Sequence, residues 1–246
     1  MRLFLLLPLV ACNVDSLSTN GELGHLSFSL SSAWYLDPTQ LTEVDIVTGH
    51  EQYIGVSLTE EGEELADGRA GALEYVVTPA DGVTIGTDGS DTDSAEPRTL
   101  AITVADPGDY TVEARLRGEL FDRIQLGFDT PAALEIAAYV REPWGDEVAR
   151  VSAIDPVQVR EGSQLAYLPI PQDDAGVRLA GDVATSIASV PTTAVVPAEN
   201  VLHVNEDDVS STGGVPSLYF IEPGDVTVTL ADTVNPVEAA LDFVVE

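Results

Sequence analysis

The segment PGDYTVEARLRGELFDRIQLGF, from Pro107 to Phe128, returns later in the chain as PGDVTVTLADTVNPVEAALDF, from Pro223 to Phe243. Both copies open on Pro-Gly-Asp, share Thr-Val and close on Leu-x-Phe after one length adjustment. Upstream of each lies a second matching patch, Pro79-Ala80-Asp81-Gly82-Val83 and Pro197-Ala198-Glu199-Asn200-Val201, at similar spacing. Such self-similarity marks a chain built from repeated modules and predicts two related units that meet near residue 130. Within each copy the apolar period is two. Tyr110, Val112, Ala114 and Leu116 alternate with Thr111, Glu113, Arg115 and Arg117; Gly118-Glu119 reads as a hairpin turn, and Leu120, Ile124, Leu126 and Phe128 follow. In the second copy Val226, Val228 and Leu230 alternate with Thr227 and Thr229, after which Val237, Ala239, Leu241 and Phe243 face inward. Leu26-x-Phe28-x-Leu30, Ile54-x-Val56-x-Leu58 and Leu134-x-Ile136-x-Ala138-x-Val140 repeat the pattern. Side chains alternate between the two faces of a strand, so these are half-buried antiparallel strands. Short strands broken by Gly, Pro and Asp predict an all-β chain of tandem β-sandwiches.

Asp106-Pro107-Gly108-Asp109-Tyr110-Thr111-Val112 resembles the Asp-x-Gly-x-Tyr segment of immunoglobulin-like folds, the tyrosine corner ahead of the penultimate strand. Val112 stands where antibody domains carry a disulfide cysteine, as is common in the bacterial Ig-like and PKD-type domains that the segment also resembles. The second unit has Glu222-Pro223-Gly224-Asp225-Val226, without the tyrosine, and receives the Ig-like reading through the repeat. The resemblance implies a fold and not an activity.

At the N-terminus, Arg2 precedes an apolar run from Leu3 to Ala11 that is too short to cross ~30 Å of hydrocarbon as a helix but fits the core of a secretory signal. The run ends Leu9-Val10-Ala11-Cys12, at the sole cysteine of the chain. It resembles the lipobox of bacterial lipoprotein precursors. That resemblance implies a signal peptide over 1–11, diacylglyceryl transfer to the Cys12 thiol, cleavage after Ala11 and acylation of the new amino terminus. Two acyl signals make anchoring durable, each buried methylene contributing ~0.8 kcal/mol. Asn13, in place of the Asp that often retains such proteins in the inner membrane, leans toward the outer membrane. Residues 12–22 are polar and read as a lipidated tether. A single cysteine also excludes an internal disulfide and a structural thiolate metal site.

The charge balance is extreme: 42 acidic residues against 10 basic ones, net −32, and every basic residue is Arg. Such a surface repels phosphate backbones, so no nucleic-acid partner is expected. It keeps the chain solvated and favours cations or a basic partner. Self-repulsion is greater in the compact state than in the expanded one. NaCl is therefore expected to raise the melting temperature as the screening length falls from ~8 Å at 0.15 M to ~3 Å at 1 M. A flat or falling series of thermal melts would show a surface already locally neutralised, bound cations being one way for that to happen.

No residue set specifies a reaction. His50-Glu51-Gln52-Tyr53-Ile54 lacks the second histidine of a zincin helix, and His50 reads as a solvent-exposed residue at a strand entrance. His25 and His203 stand alone in strand-like segments. There is no Gly-x-Ser-x-Gly elbow and no phosphate loop ending in Lys. With 42 carboxylates, a glycosidase pair chosen by eye carries no information. Asp88, Asp91 and Asp93 lie among Gly, Ser and Thr, but their spacing lacks the glycine of a calcium loop, so they read as a solvated hairpin. Trp34, Tyr35, Tyr53 and Trp144 are candidates for a binding patch, weighed against the commoner fate of such rings in packing.

The sequence thus predicts a signal peptide over 1–11, a tether over 12–22, and Ig-like sandwiches over 23–130 and 131–246. The expected role is that of a lipid-anchored binding or structural module of the bacterial cell envelope, not an enzyme, with no cofactor and no metal. Its expected partners are the membrane, through Cys12, and an envelope or surface protein. The alternative is an envelope hydrolase with its site between the two domains.

Overall fold

A computed structural model describes residues 26–30, 32, 34, 36, 40–58, 73–87, 98–116, 118–145, 147–151, 156–198, 205, 206, 209, 210 and 215–246. Cys12, the tether, His25, Tyr35, the Asp88–Asp93 loop and His203 lie outside them.

The first unit contains β1 (Leu26–Leu30), β2 (Ile46–Val47), β3 (Glu51–Leu58), β4 (Leu73–Thr78), β5 (Val83–Thr87), β6 (Arg98–Val104), β7 (Gly108–Leu116) and β8 (Glu119–Asp129). The second contains β9 (Ala133–Arg141), β10 (Val148–Val151), β11 (Val157–Val159), β12 (Gln164–Gln172), β13 (Thr185–Val190), β14 (Val195–Pro197), the short pair β15 (Asn205–Glu206) and β16 (Val209–Ser210), β17 (Ser217–Phe220), β18 (Gly224–Asp232) and β19 (Glu238–Val245). In the first unit the sheets run β1-β3-β6-β5 and β2-β8-β7-β4; in the second, β10-β9-β12-β17-β14 and β11-β19-β18-β13. With β10 set aside, the two orders are the same. In both, the short strand ahead of the second long one pairs in parallel with the last, β2 with β8 and β11 with β19. The fold is all-β, two sandwiches of immunoglobulin-like strand order.

The alternating residues of β7 and β18 face inward as expected: Tyr110, Val112, Ala114, Val226, Val228 and Leu230 are buried. The Tyr110 hydroxyl donates to the Asp106 carbonyl at 2.9 Å, closing the corner. The second unit has no such tyrosine and fills the volume differently. Tyr110 lies opposite Leu126 and Val226 opposite Phe243; Gly108 lies opposite Phe128 and Gly224 opposite Val245. Gly49 N–H donates to the Val104 carbonyl, and Gly162 N–H to that of Phe220. The first core therefore places an aromatic pair, Tyr110 against Phe128 at 5.5 Å, where the second has Val226 and Val245. The second places Phe220 against Phe243 at 4.8 Å, where the first has Val104 and Leu126. Exchanging which positions are large keeps the core filled, the kind of change that packing tolerates best.

Four expectations change. The closing Leu-x-Phe motifs are not equivalent: Phe243 matches Leu126, and the repeat is displaced by two residues. A shift of two keeps every side chain on its face, so the inward assignment survives. The upstream patches also differ, since Pro79 follows β4 whereas Pro197 ends β14; the counterpart of Pro79 is Pro191, which follows β13. Leu120 is not the inward residue after the β7–β8 turn. A bulge opposite Ala114 and Arg115 brings Phe121 into the core and buries Asp122, which accepts from the Leu26 N–H at 2.7 Å. Finally, β9 is buried on both faces rather than one, as is its neighbour β12. Ala137, Tyr139, Ala166, Leu168 and Ile170 form a second cluster with Val215 and Trp34.

Candidate functional site at the junction of the two sandwiches

β8 ends at Asp129 and β9 begins at Ala133, so the sandwiches are joined by a segment too short to separate them. The end of the first unit that carries β2 and the start of β3 meets the β12–β13 and β18–β19 turns of the second. Backbone bonds cross first: Val47 N–H donates to the Ala180 carbonyl at 3.0 Å, and Ala180 N–H to the Asp45 carbonyl at 2.8 Å. Val47 packs with Leu134, Leu179 and Val183, and Val237 and Ala239 close the cluster. The Trp34 indole N–H donates to the Leu179 carbonyl at 2.8 Å.

Two polar clasps flank this apolar patch. Gln52 Nε2 donates to the Asp182 carbonyl at 2.9 Å while its Oε1 accepts from the Asp182 N–H at 3.0 Å. Gly181, at φ +93°, must lack a Cβ, which would collide with the Gln52 amide. The other clasp is His50 Nε2 to Asp232 Oδ1 at 2.8 Å, with both side chains buried. His50 Nδ1 accepts from the Ala184 N–H at 3.4 Å, so the proton sits on Nε2 and is given to Asp232. Asp232 Oδ1 also accepts from the N–H groups of Val234 and Asn235, and Oδ2 from the Asn235 amide. The same amide donates to the Thr48 carbonyl at 3.3 Å. Burial pushes the Asp232 carboxyl up, but the hydrogen bonds from Asn235, Val234 and His50 outweigh it and hold it below the usual carboxylate range. Nearby, partial burial and then the carboxylates of Asp129, Asp109 and Asp173 hold Asp45 above that range.

The expectation of a solvent-exposed His50 is therefore corrected: it is 6% exposed, because the second sandwich lies over the strand entrance. The repeat shows that this rim is specialised. Equivalent positions carry Val47 and Arg160, His50 and Ser163, Gln52 and Leu165, as the paired Gly49 and Gly162 bonds and strand registers require. Apolar Val47 replaces a charge, and polar Gln52 replaces a core leucine, where the first unit must grip its neighbour. The receiving β18–β19 connection, from Asp232 to Glu238, is longer than that from Leu116 at the end of β7 to Glu119 at the start of β8.

The aromatic candidates separate. Trp34 packs at the junction. Tyr53, on β3, is 49% exposed, and Trp144, in the β9–β10 turn, is 95% exposed; they belong to different sandwiches. Among the described residues no group of three or more His, Cys, Asp or Glu is placed to hold a metal ion.

No family model matches the chain, and no curated protein matches it. Solved structures do. Domains 5–6 of the S-layer protein SbsC align at 13% identity over 88% of this chain and 98% of that one, with a TM-score of 0.33. The Escherichia coli adhesin FdeC aligns at 14% identity over 91% and 65%, TM-score 0.31. Invasin, a bacterial integrin-binding protein, aligns at 13% identity over 89% and 40%, TM-score 0.30.

Proposed function

We propose that the chain is a lipid-anchored protein of the bacterial cell envelope, in which two stiffly joined Ig-like sandwiches act as a binding or spacing module. In this reading residues 1–11 are the signal, Cys12 carries the lipid, 12–22 form the tether, and the units divide near residue 130. The observation that supports the module reading is the specialised junction. Val47, His50 and Gln52 depart from their counterparts Arg160, Ser163 and Leu165 to make contacts that hold the sandwiches in one arrangement. The same observation weighs against a hydrolase with its site between the domains, because that seam is filled by packed side chains. The apolar run ending at the sole cysteine supports the anchor.

Cys12→Ser is expected to move the protein from the membrane pellet to the soluble fraction of cells expressing it, since the acyl chains hold it there. Pelleting unchanged from the wild type would end the lipid-anchor reading. A pull-down from envelope extract then separates the roles: a retained protein supports binding, and a small molecule turned over by the bait overturns it.

A further inference from the structure

We propose that the end of the second sandwich remote from the junction docks a β-sandwich of a partner protein, with Trp144 as the anchor. The proposal deepens the binding half of the reading above and rests on it. Strand equivalence makes this end the counterpart of the rim by which the first sandwich grips the second. The start of β12 matches that of β3, and the end of β9 that of β1. Each unit places a tryptophan in the connection that leaves its first strand at this end, Trp34 after β1 and Trp144 after β9. Trp34 shows what that place is used for. Its ring packs on the face of β9 and β12 turned away from their core, where Tyr139 and Leu168 lie. Its indole N–H donates to the Leu179 carbonyl at the margin of that patch, at 2.8 Å. Trp144 offers the same chemistry and stands 95% exposed.

The turn that carries Trp144 is fixed. Gly145 N–H donates to the Glu142 carbonyl at 3.1 Å, Pro143 restricts the backbone ahead of the tryptophan, and the Pro143 ring lies against Gly162. Gly162 N–H donates to the Phe220 carbonyl and Ile221 N–H to that of Ala194, so the turns at this end form one row. Val190 and Ile221 are exposed on the same row, which makes Trp144 part of a patch rather than a lone surface ring. These turns are described throughout save Asp146, and the stretches outside the described residues leave from strand ends elsewhere. Glu142, Glu147, Glu161 and Glu222 stand here with Arg141 and Arg160. Both guanidiniums are engaged, Arg160 beside Glu142 at 3.8 Å and Arg141 on Gln164, which leaves carboxylates in excess. A second copy of the chain, at net −32, is repelled. The partner that fits presents an apolar sheet face with a backbone carbonyl at its margin and a neutral or basic surround. An exposed tryptophan that becomes buried on docking carries a large share of such an interface.

The test uses the full chain carrying Cys12→Ser in envelope extract, so that a lost anchor is read from pelleting and a lost site from cross-linking. The probe is a photo-cross-linking ring, introduced as Trp144→p-benzoylphenylalanine, with Tyr53→p-benzoylphenylalanine on the first sandwich as control. Light is expected to join position 144 to a protein at about tenfold the yield from position 53. The joined peptide should map to a strand of a β-sandwich. Added Cys12→Ser chain without the probe competes for the adduct, and a further Trp144→Ala raises the concentration needed about tenfold. That variant should melt with its parent, because so exposed a ring contributes no packing to the fold. The proposal is overturned if position 144 gives no more adduct than position 53, or if the adduct is with lipid or glycan. It is equally overturned if the mapped peptide lies outside a β-sandwich, or if Trp144→Ala competes as well as its parent.

Discussion

Replacing Asp232 with alanine is expected to destabilise the protein by about 3–5 kcal/mol and to lower its melting temperature by about 10 °C. The carboxylate has four donors: the N–H groups of Val234 and Asn235, the Asn235 amide and the His50 ring. Alanine takes the acceptor from the buried His50 ring and from the part-buried N–H groups of the turn, and an unmet buried donor costs far more than a made hydrogen bond contributes. The effect spreads across the junction because the same loop also grips Thr48 through Asn235. A loss under about 1 kcal/mol in chemical denaturation would mean that the turn reorganises around the gap. The pH dependence gives a second reading. The folded-state pKa is depressed, so the unfolded chain binds the proton first as pH falls. The contribution of Asp232 is therefore complete above the ordinary carboxylate range and is lost as pH falls through the lowered value. The stability gap between wild type and Asp232→Asn should narrow below about pH 4. Asp45, whose pKa is raised, shifts in the opposite sense in both proteins and cancels from the difference.

Cut at residue 130, the chain is expected to yield two fragments, 23–130 and 131–246, that each fold with β-type circular dichroism and a cooperative melt. Each then melts well below the intact protein. Autonomy follows from the cores: Phe28, Ile54, Leu100, Val112 and Phe121 pack within one unit, and Leu165, Phe220, Val228, Leu241 and Phe243 within the other. The loss follows from the junction. Separation exposes Val47, Leu134, Leu179 and Val183 and dissolves the Gln52 and His50 clasps, together about 5 kcal/mol of mutual stabilisation. A fragment that stayed a disordered coil would show that its unit is completed by the other. Fragments melting at the temperature of the intact chain would show that the junction contributes nothing.

These expectations divide between what local sequence carries and what it does not. The period of two along Tyr110 to Ala114 and Val226 to Leu230 determines strands with one face inward, since the alternation of side chains is a property of the backbone and needs no partner to be read. The repeated Pro-Gly-Asp likewise determined that two units share one plan, and the corner made by Tyr110 was legible from its local spacing. Register was less secure. A displacement by two leaves every face unchanged, so Leu-x-Phe could be matched to the wrong rung with the burial pattern still correct; the bulge at Phe121, which changes parity, left no such mark beforehand. The junction was not legible at all. His50 and Asp232 are 182 residues apart, and Gln52 and Asp182 are 130 apart. His50 and Gln52 continue the inward parity of Ile54 and Val56, and Asp232 that of Val228 and Leu230, but parity says only which face a residue takes, not whether the strand end is covered or by what. Only the docking of the second sandwich over the entrance of β3 buries the histidine and gives it a partner, because burial is a property of whole faces meeting.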